Sequence, residues 1–313
     1  MSPVLILLFI ASALFAWSMG SHYTGAVMGT AYGSGVLSLR KAQLLAAGAA
    51  LIGSVVASIN VIDTYAHGLV TGASRVDIAA AQLAAAIVTT LSTSFKLPTS
   101  TIQIYSFSLL GSALVAGLPI HGAGFGVVIL FWAVGPLVAL ALGFILAQLG
   151  LGIAKKGQRI VTWFVIGASV YSSFTLGSND VSNAASSLVT LHIFPARLAG
   201  LYGGIFMALG VLTWGQRLIT RIGHDILRLD VPLAATSQLA QALSLTLINA
   251  VGYNASINQT IVGGLTGSGL AVARDRLNWT LLRNIVLNWT WSPVLGLGCS
   301  ALVTVILRAI FGR

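Results

Sequence analysis

The stretch Ile160-Val-Thr-Trp-Phe-Val-Ile-Gly-Ala-Ser-Val-Tyr-Ser-Ser-Phe-Thr-Leu176 runs directly into Gly177-Ser-Asn-Asp-Val-Ser-Asn-Ala184. The first part is an apolar run of membrane-crossing length, and the second sets a carboxylate, Asp180, among amides and hydroxyls. A carboxylate inside a bilayer costs about 2.5 kcal/mol or more, so Asp180 is a candidate for function. The plainer alternative is a loop aspartate that caps a helix. The other acidic residues differ: Asp63 and Asp77 lie near Arg75 in an expected loop, and Asp225, Asp230 and Asp275 lie close to arginines.

Outward from this stretch the same texture continues. Apolar runs recur at Val4 to Met19, Ala42 to Val61, Ile78 to Phe95, Phe125 to Leu149 and Leu295 to Ile310. The chain is 57% hydrophobic and 7% charged, against roughly 25% charged in soluble domains, which excludes a soluble core. Val4 to Met19 has no basic segment before it and reads as a first membrane helix, not a signal peptide. The net charge of +10 fits loops that carry Lys and Arg at membrane boundaries; basic and aromatic residues share no face, so nucleic-acid binding is not expected. Metal-ligand Cys/His spacing, nucleophile elbows and phosphate loops are absent, which argues against an enzyme.

Three landmarks recur in order at an almost constant spacing. Gly20-Ser21-His22-Tyr23 precedes Gly177-Ser178-Asn179-Asp180 by 157 positions. Ser100-Thr-Ile-Gln103 precedes Ser256-Ile-Asn-Gln259 by 156, and Trp132-Ala-Val-Gly-Pro136 precedes Trp289-Thr-Trp-Ser-Pro293 by 157. Duplication explains all three, giving one repeat over residues 1–156 and another over 157–313. Polar clusters at residues 92–103 and 249–260 interrupt apolar helices, as in transporters that bind substrate on broken helices between repeats.

Each Ser-x-x-Gln places a hydroxyl and an amide one turn apart at the start of a half-helix, whose free N–H groups attract anions. Two such termini could bind a tetrahedral dianion; acting only as adhesive between helices is the plainer alternative. Oxygen-rich, weakly charged surroundings suit Asp180 to a hard cation or a proton. Of the scattered histidines, only His22 falls in a repeated motif. Four Asn-x-Ser/Thr triplets, at Asn254, Asn258, Asn278 and Asn288, lie in or beside apolar runs and are read as chance.

Gly177-Ser-Asn-Asp-Val-Ser-Asn-Ala184 resembles the signature of the PiT family of inorganic phosphate transporters, and Leu97-Pro-Thr-Ser-Thr101 with Ser256 to Gly263 resembles its second segment. Asn278-Trp279 with Trp289 and Pro293 resembles its closing helix, so the likeness covers nearly the whole chain. The first signature departs from the pattern, with His22-Tyr23 where the family has Asn-Asp, and resembles the family's bacterial sulfate permeases. The resemblance implies an all-α integral membrane protein of about 10 to 12 membrane segments, with two inverted-topology repeats and broken or re-entrant helices. It implies a short cytoplasmic loop at 216–231 and a multi-pass location in the cell membrane.

The resemblance further implies a secondary active transporter of an inorganic tetrahedral oxyanion, most favourably sulfate, driven by proton or sodium symport. Phosphate symport within the same family is the alternative; an anion channel is the rival of another class. Sulfate is favoured because it carries no proton near neutral pH, so a site with one carboxylate repels it less than a site with two. Thr99, Ser100, Thr101, Gln103, Ser256, Asn258, Gln259, Ser21 and Ser178 are the expected substrate ligands. Asp180, Asn179, Asn183, His22 and Tyr23 are the expected coupling residues, with Asn179, Asp180 and Asn183 as a candidate sodium site. No cofactor is expected beyond the co-transported ion; the partners are the anion and the lipid bilayer, and a homodimer is compatible with the reading.

Overall fold

The computed structural model describes residues 2–312 apart from 68, 155, 156, 218, 220–230, 273, 275, 276 and 278, and only the backbone of 66, 67, 150–154, 281, 284 and 288. Among the described residues there are eleven helices: α1 (Pro3–Gly33), α2 (Leu39–Val56), α3 (Ile59–His67), α4 (Arg75–Ser94), α5 (Thr101–Ala116), α6 (Gly122–Ala154), α7 (Gln158–Thr190), α8 (Ala196–Trp214), α9 (Val231–Ala250), α10 (Ile257–Val272) and α11 (Trp279–Phe311). Eight of them contain a stretch long and apolar enough to cross a membrane, and α5 is a shorter apolar helix. The chain is thus the all-α, multi-pass membrane protein expected from its apolar runs.

Helices form over the apolar runs, except that Ala42 to Val61 is divided at residues 57–58 between α2 and α3, and the two helices that carry the signatures run further. α1 begins at Pro3, behind an N-cap in which Ser2 accepts a hydrogen bond from the Leu5 N–H, and continues past His22 and Tyr23 to Gly33. α7 continues past Asp180 to Thr190. Asp180 is therefore in the interior of a helix and does not cap one. The breaks fall in the two polar clusters, at residues 95–100 between α4 and α5 and at 251–256 between α9 and α10.

Asp77 corrects the sequence reading. It belongs to the first turn of α4 rather than a loop, forming a reciprocal capping box with Ser74, and pairs with Arg308 of α11 at 2.8 Å. Asp63 likewise lies on a helix, α3. The expected loop at 216–231 lies mostly outside the described residues, as do Arg221, Arg228, Asp225, Asp230, Asp275 and Asn278.

α1, α2, α7 and α8 form the centre of the bundle. The α4–α5 hairpin packs on α1 and is backed by α11, while the α9–α10 hairpin packs on α7 and is backed by α6, so each hairpin leans on the long helix of the other half. Close approach requires glycine at matched places. A Cβ on Gly20 would lie 2.0 Å from the Met207 carbonyl oxygen, and one on Gly177 would lie 1.8 Å from that of Ala50; these are the notches by which α1 meets α8 and α7 meets α2. α1 and α7 run antiparallel. Ser12 near the start of α1 donates to the Ala184 carbonyl late in α7. Val27, late in α1, is joined through Gln238 to Ser169, early in α7.

Candidate functional site

The two signatures and the two hairpin breaks meet in one buried polar network. On the α1 side, the Thr101 N–H donates to the Tyr23 hydroxyl oxygen at 3.0 Å. The Thr101 hydroxyl donates to Asp180 Oδ1 at 3.2 Å, so it receives the Tyr23 O–H, 3.0 Å away. Tyr23, Thr101 and Asp180 thus form a directed chain from a phenol to a carboxylate, linking α1, α5 and α7. All three are fully buried.

His22 is tied to the first break. Its Nδ1 is 2.9 Å from the Thr93 hydroxyl, which itself donates to the Thr89 carbonyl, so the ring nitrogen is the donor. Its Nε2 faces an acceptor, the Thr99 carbonyl at 3.1 Å, and a donor, the Asn258 amide at 3.3 Å. A protonated ring would donate to Thr99 and a neutral one would accept from Asn258, so the surroundings serve both states. The Asn258 amide also donates to the Thr99 carbonyl at 2.6 Å, which brings the tips of the two hairpins together.

Asn179 does for the second break what His22 does for the first. Its amide nitrogen donates to the Ala255 carbonyl at 2.8 Å and its oxygen accepts the Ala255 N–H at 3.1 Å. The same nitrogen donates to Asp180 Oδ2 at 2.8 Å. Thr99 and Ala255 stand at equivalent distances along the sequence from the two signatures. Asn183 accepts from the Asn254 amide at 3.0 Å.

Ser100 and Ser256 are the residues immediately before α5 and α10, where each hydroxyl accepts the N–H of Gln103 or Gln259, at 3.5 and 3.4 Å. They cap their own half-helices, and each keeps its proton to donate elsewhere. The Oε1 atoms of Gln103 and Gln259 are buried and meet no donor among the described residues.

Most of the expected site residues therefore gather here. Ser21 stands apart, with its hydroxyl turned back to the Ser18 carbonyl at 2.8 Å; the Ser178 hydroxyl donates to the side-chain oxygen of Asn249 at 3.0 Å, and the Asn249 amide nitrogen donates in turn to Asn179 Oδ1 at 2.9 Å. The reading from sequence did not assign Asn254, Asn249 and Thr93 to the site, although all three stand in the polar clusters that it singled out. Gln82 and Gln238 were missed altogether; they donate to the carbonyls of Ala184 and Val27, again at matching positions. Their signal was an amide within an alanine-rich helix. Asn254 and Asn258 are buried, in keeping with their triplets being chance.

Comparison with known proteins agrees with this architecture. The model of the phosphate transporter family matches residues 19–153 and again 150–300. A Methanocaldococcus jannaschii protein that carries the name phosphate permease is 30% identical over 92% of this chain and 93% of its own length. Sulfate permease CysP of Bacillus subtilis is 26% identical over 95% of this chain and 87% of its own. A solved structure titled as the sodium-dependent phosphate transporter superposes with a TM-score of 0.90 at 22% identity, covering 99% of this chain and 100% of that one, which shows a shared fold. With both halves matched by the family model and the archaeal relative aligned along almost its entire length, the chain belongs to the phosphate transporter family.

Proposed function

We propose that the chain is a secondary active transporter of a small tetrahedral oxyanion in the cell membrane, with sulfate as the favoured cargo and a proton, or failing that sodium, as the coupled ion. The observation that carries this reading is the meeting of two half-helix N-termini, at Ser100–Gln103 and Ser256–Gln259, with one buried carboxylate, Asp180. Helix termini offer N–H groups and positive potential to an anion without a buried arginine. Thr99, Ser100, Thr101, Gln103, Ser256, Asn258 and Gln259 are the substrate ligands in this account. Asp180, Asn179, Asn183, His22 and Tyr23 couple the cation.

The chemistry of the network favours a proton over sodium. Sodium needs several oxygens at once, and those of Asn179 and Asn183 each already share their lone pairs with an N–H group, whereas a proton needs one base, Asp180. Two inverted repeats, residues 1–156 and 157–313, account for the matched contacts and for the antiparallel α1 and α7. Rocking of one group of helices against another would then expose the site alternately.

Phosphate is the second reading. A hydroxyl of hydrogen phosphate can donate to an acceptor such as Gln103 Oε1 or Gln259 Oε1, which sulfate cannot. The names of the relatives include both anions. Displacement of labelled sulfate from the purified protein by unlabelled sulfate and phosphate decides between them: sulfate is expected to displace at lower concentration, and the reverse order would assign phosphate. Flux that does not saturate with anion concentration would instead indicate a channel.

A further inference from the structure

Two cavities flank the network, and their walls correspond. One is bounded by Thr30 of α1, Ala234 of α9, and Ile261 and Leu265 of α10, with Pro98 and Asn258 at the hairpin tips. The other is bounded by Ser187 of α7, Ile78 of α4, and Tyr105 and Leu109 of α5, with Tyr65 and Ser186 beside them. Thr30 and Ser187, Ile78 and Ala234, Tyr105 and Ile261, and Leu109 and Leu265 are each 156 or 157 positions apart, the spacing of the signatures themselves. Each cavity lies beyond the signature of its own helix, Thr30 after Tyr23 and Ser187 after Asp180. Because α1 and α7 are antiparallel, the cavities lie on opposite sides of the network.

Their chemistry differs. Where the first presents Ile261, the second presents Tyr105, and Tyr65 and Ser186 add further hydroxyls, while that of Ser187 is turned to the Ala184 carbonyl. Tyr65 is 7% exposed, and its hydroxyl has no hydrogen-bond partner among the described residues. A buried donor without an acceptor in the chain is met by one from outside it, water or an oxyanion. Among the described residues, no charged side chain lines either cavity.

We propose that the hydroxyl-lined cavity between α5 and α7 is a second oxyanion position, where the anion pauses on that side of the membrane before entering the network, and that its apolar counterpart between α1 and α10 has no such position. Hydroxyls suit a waiting position, since they replace water around the anion without the grip of a fixed positive charge. Passage on the other side is then a step past Thr30 and apolar walls, so the protein handles its cargo differently at its two faces. This inference rests on the reading of the protein as an oxyanion transporter.

The chain has a single cysteine, Cys299, so Ser186→Cys and Thr30→Cys can each be placed in a Cys299→Ala background and treated with a membrane-impermeant thiol reagent from either face of oriented proteoliposomes. The two should react from opposite faces. Sulfate at about twice its half-saturating concentration should slow modification of Ser186→Cys about threefold, following 1 + [L]/Kd, and leave Thr30→Cys unchanged. Tyr65→Phe should remove the protection while equilibrium sulfate binding to the network persists; where Ser186→Cys does not fold, Tyr65→Phe should raise the KM of uptake from that face alone. Reaction from the same face, or saturable uptake of sulfate or phosphate with no protection by either, would overturn the inference while leaving the transporter reading intact. Absence of uptake of both anions would remove the two together.

Discussion

At the scale of single residues, the chain from Tyr23 through Thr101 to Asp180 gives each atom a separable task. Asp180→Asn keeps the side chain's shape but loses the base, so cation-driven uptake should vanish while exchange of anion for anion persists. Equal loss of exchange and driven uptake would mean that Asp180 serves only the architecture. Tyr23→Phe leaves the Thr101 N–H without its acceptor in a dry site, though the Thr101 hydroxyl keeps Asp180, and should lower stability by about 1 to 3 kcal/mol, read as a fall in melting temperature in detergent; an unchanged melting temperature would contradict the geometry. Asp180 stood out in the sequence because a carboxylate beside an apolar run is costly. Asn254 and Gln82 did not, because an uncharged amide in a helix is cheap enough to pass as adhesive, and only three-dimensional contact reveals which carbonyl it holds.

At the scale of elements, the breaks were legible and the lengths were not. Polar clusters at residues 92–103 and 249–260 mark where α4 and α9 stop, but no signal in Gly20 or Gly177 told a helix end from a notch. The structure makes them notches, with α1 and α7 passing through. Gly177→Ala would set a methyl 1.8 Å from the Ala50 carbonyl oxygen and force α2 and α7 apart. We expect a loss of about 1 to 3 kcal/mol or failure to assemble, and normal melting would refute so close an approach. Ser100 and Ser256 were expected to serve the anion or to hold neighbouring helices together, and in the structure they cap their own helices. Ser100→Ala with Ser256→Ala should therefore cost about 1 kcal/mol for each cap and also weaken anion binding. Lost stability with unchanged affinity would leave the hydroxyls as caps only.

At the scale of the whole molecule, each hairpin leans on the long helix of the opposite half, an arrangement that sequence spacing could not disclose. Ordered repeats indicate how many copies a chain holds, but not which copy supports which. The bidentate pair of Asp77 with Arg308, at 2.8 and 3.0 Å, fastens the start of α4 to the end of α11, 231 positions apart. Asp77→Ala should destabilise by about 1 to 3 kcal/mol, and Arg308→Ala added to it should cost little more, since the pair acts as a unit; additive losses in thermal melts would show that the two residues act independently. The central claim is that one buried carboxylate couples a proton to an oxyanion held at two half-helix termini. Its most direct test is uptake of labelled sulfate into proteoliposomes, with pH and sodium gradients imposed separately. The account predicts saturable uptake that rises as external pH falls, is indifferent to sodium and is lost in Asp180→Asn; uptake that followed a sodium gradient at constant pH would contradict it.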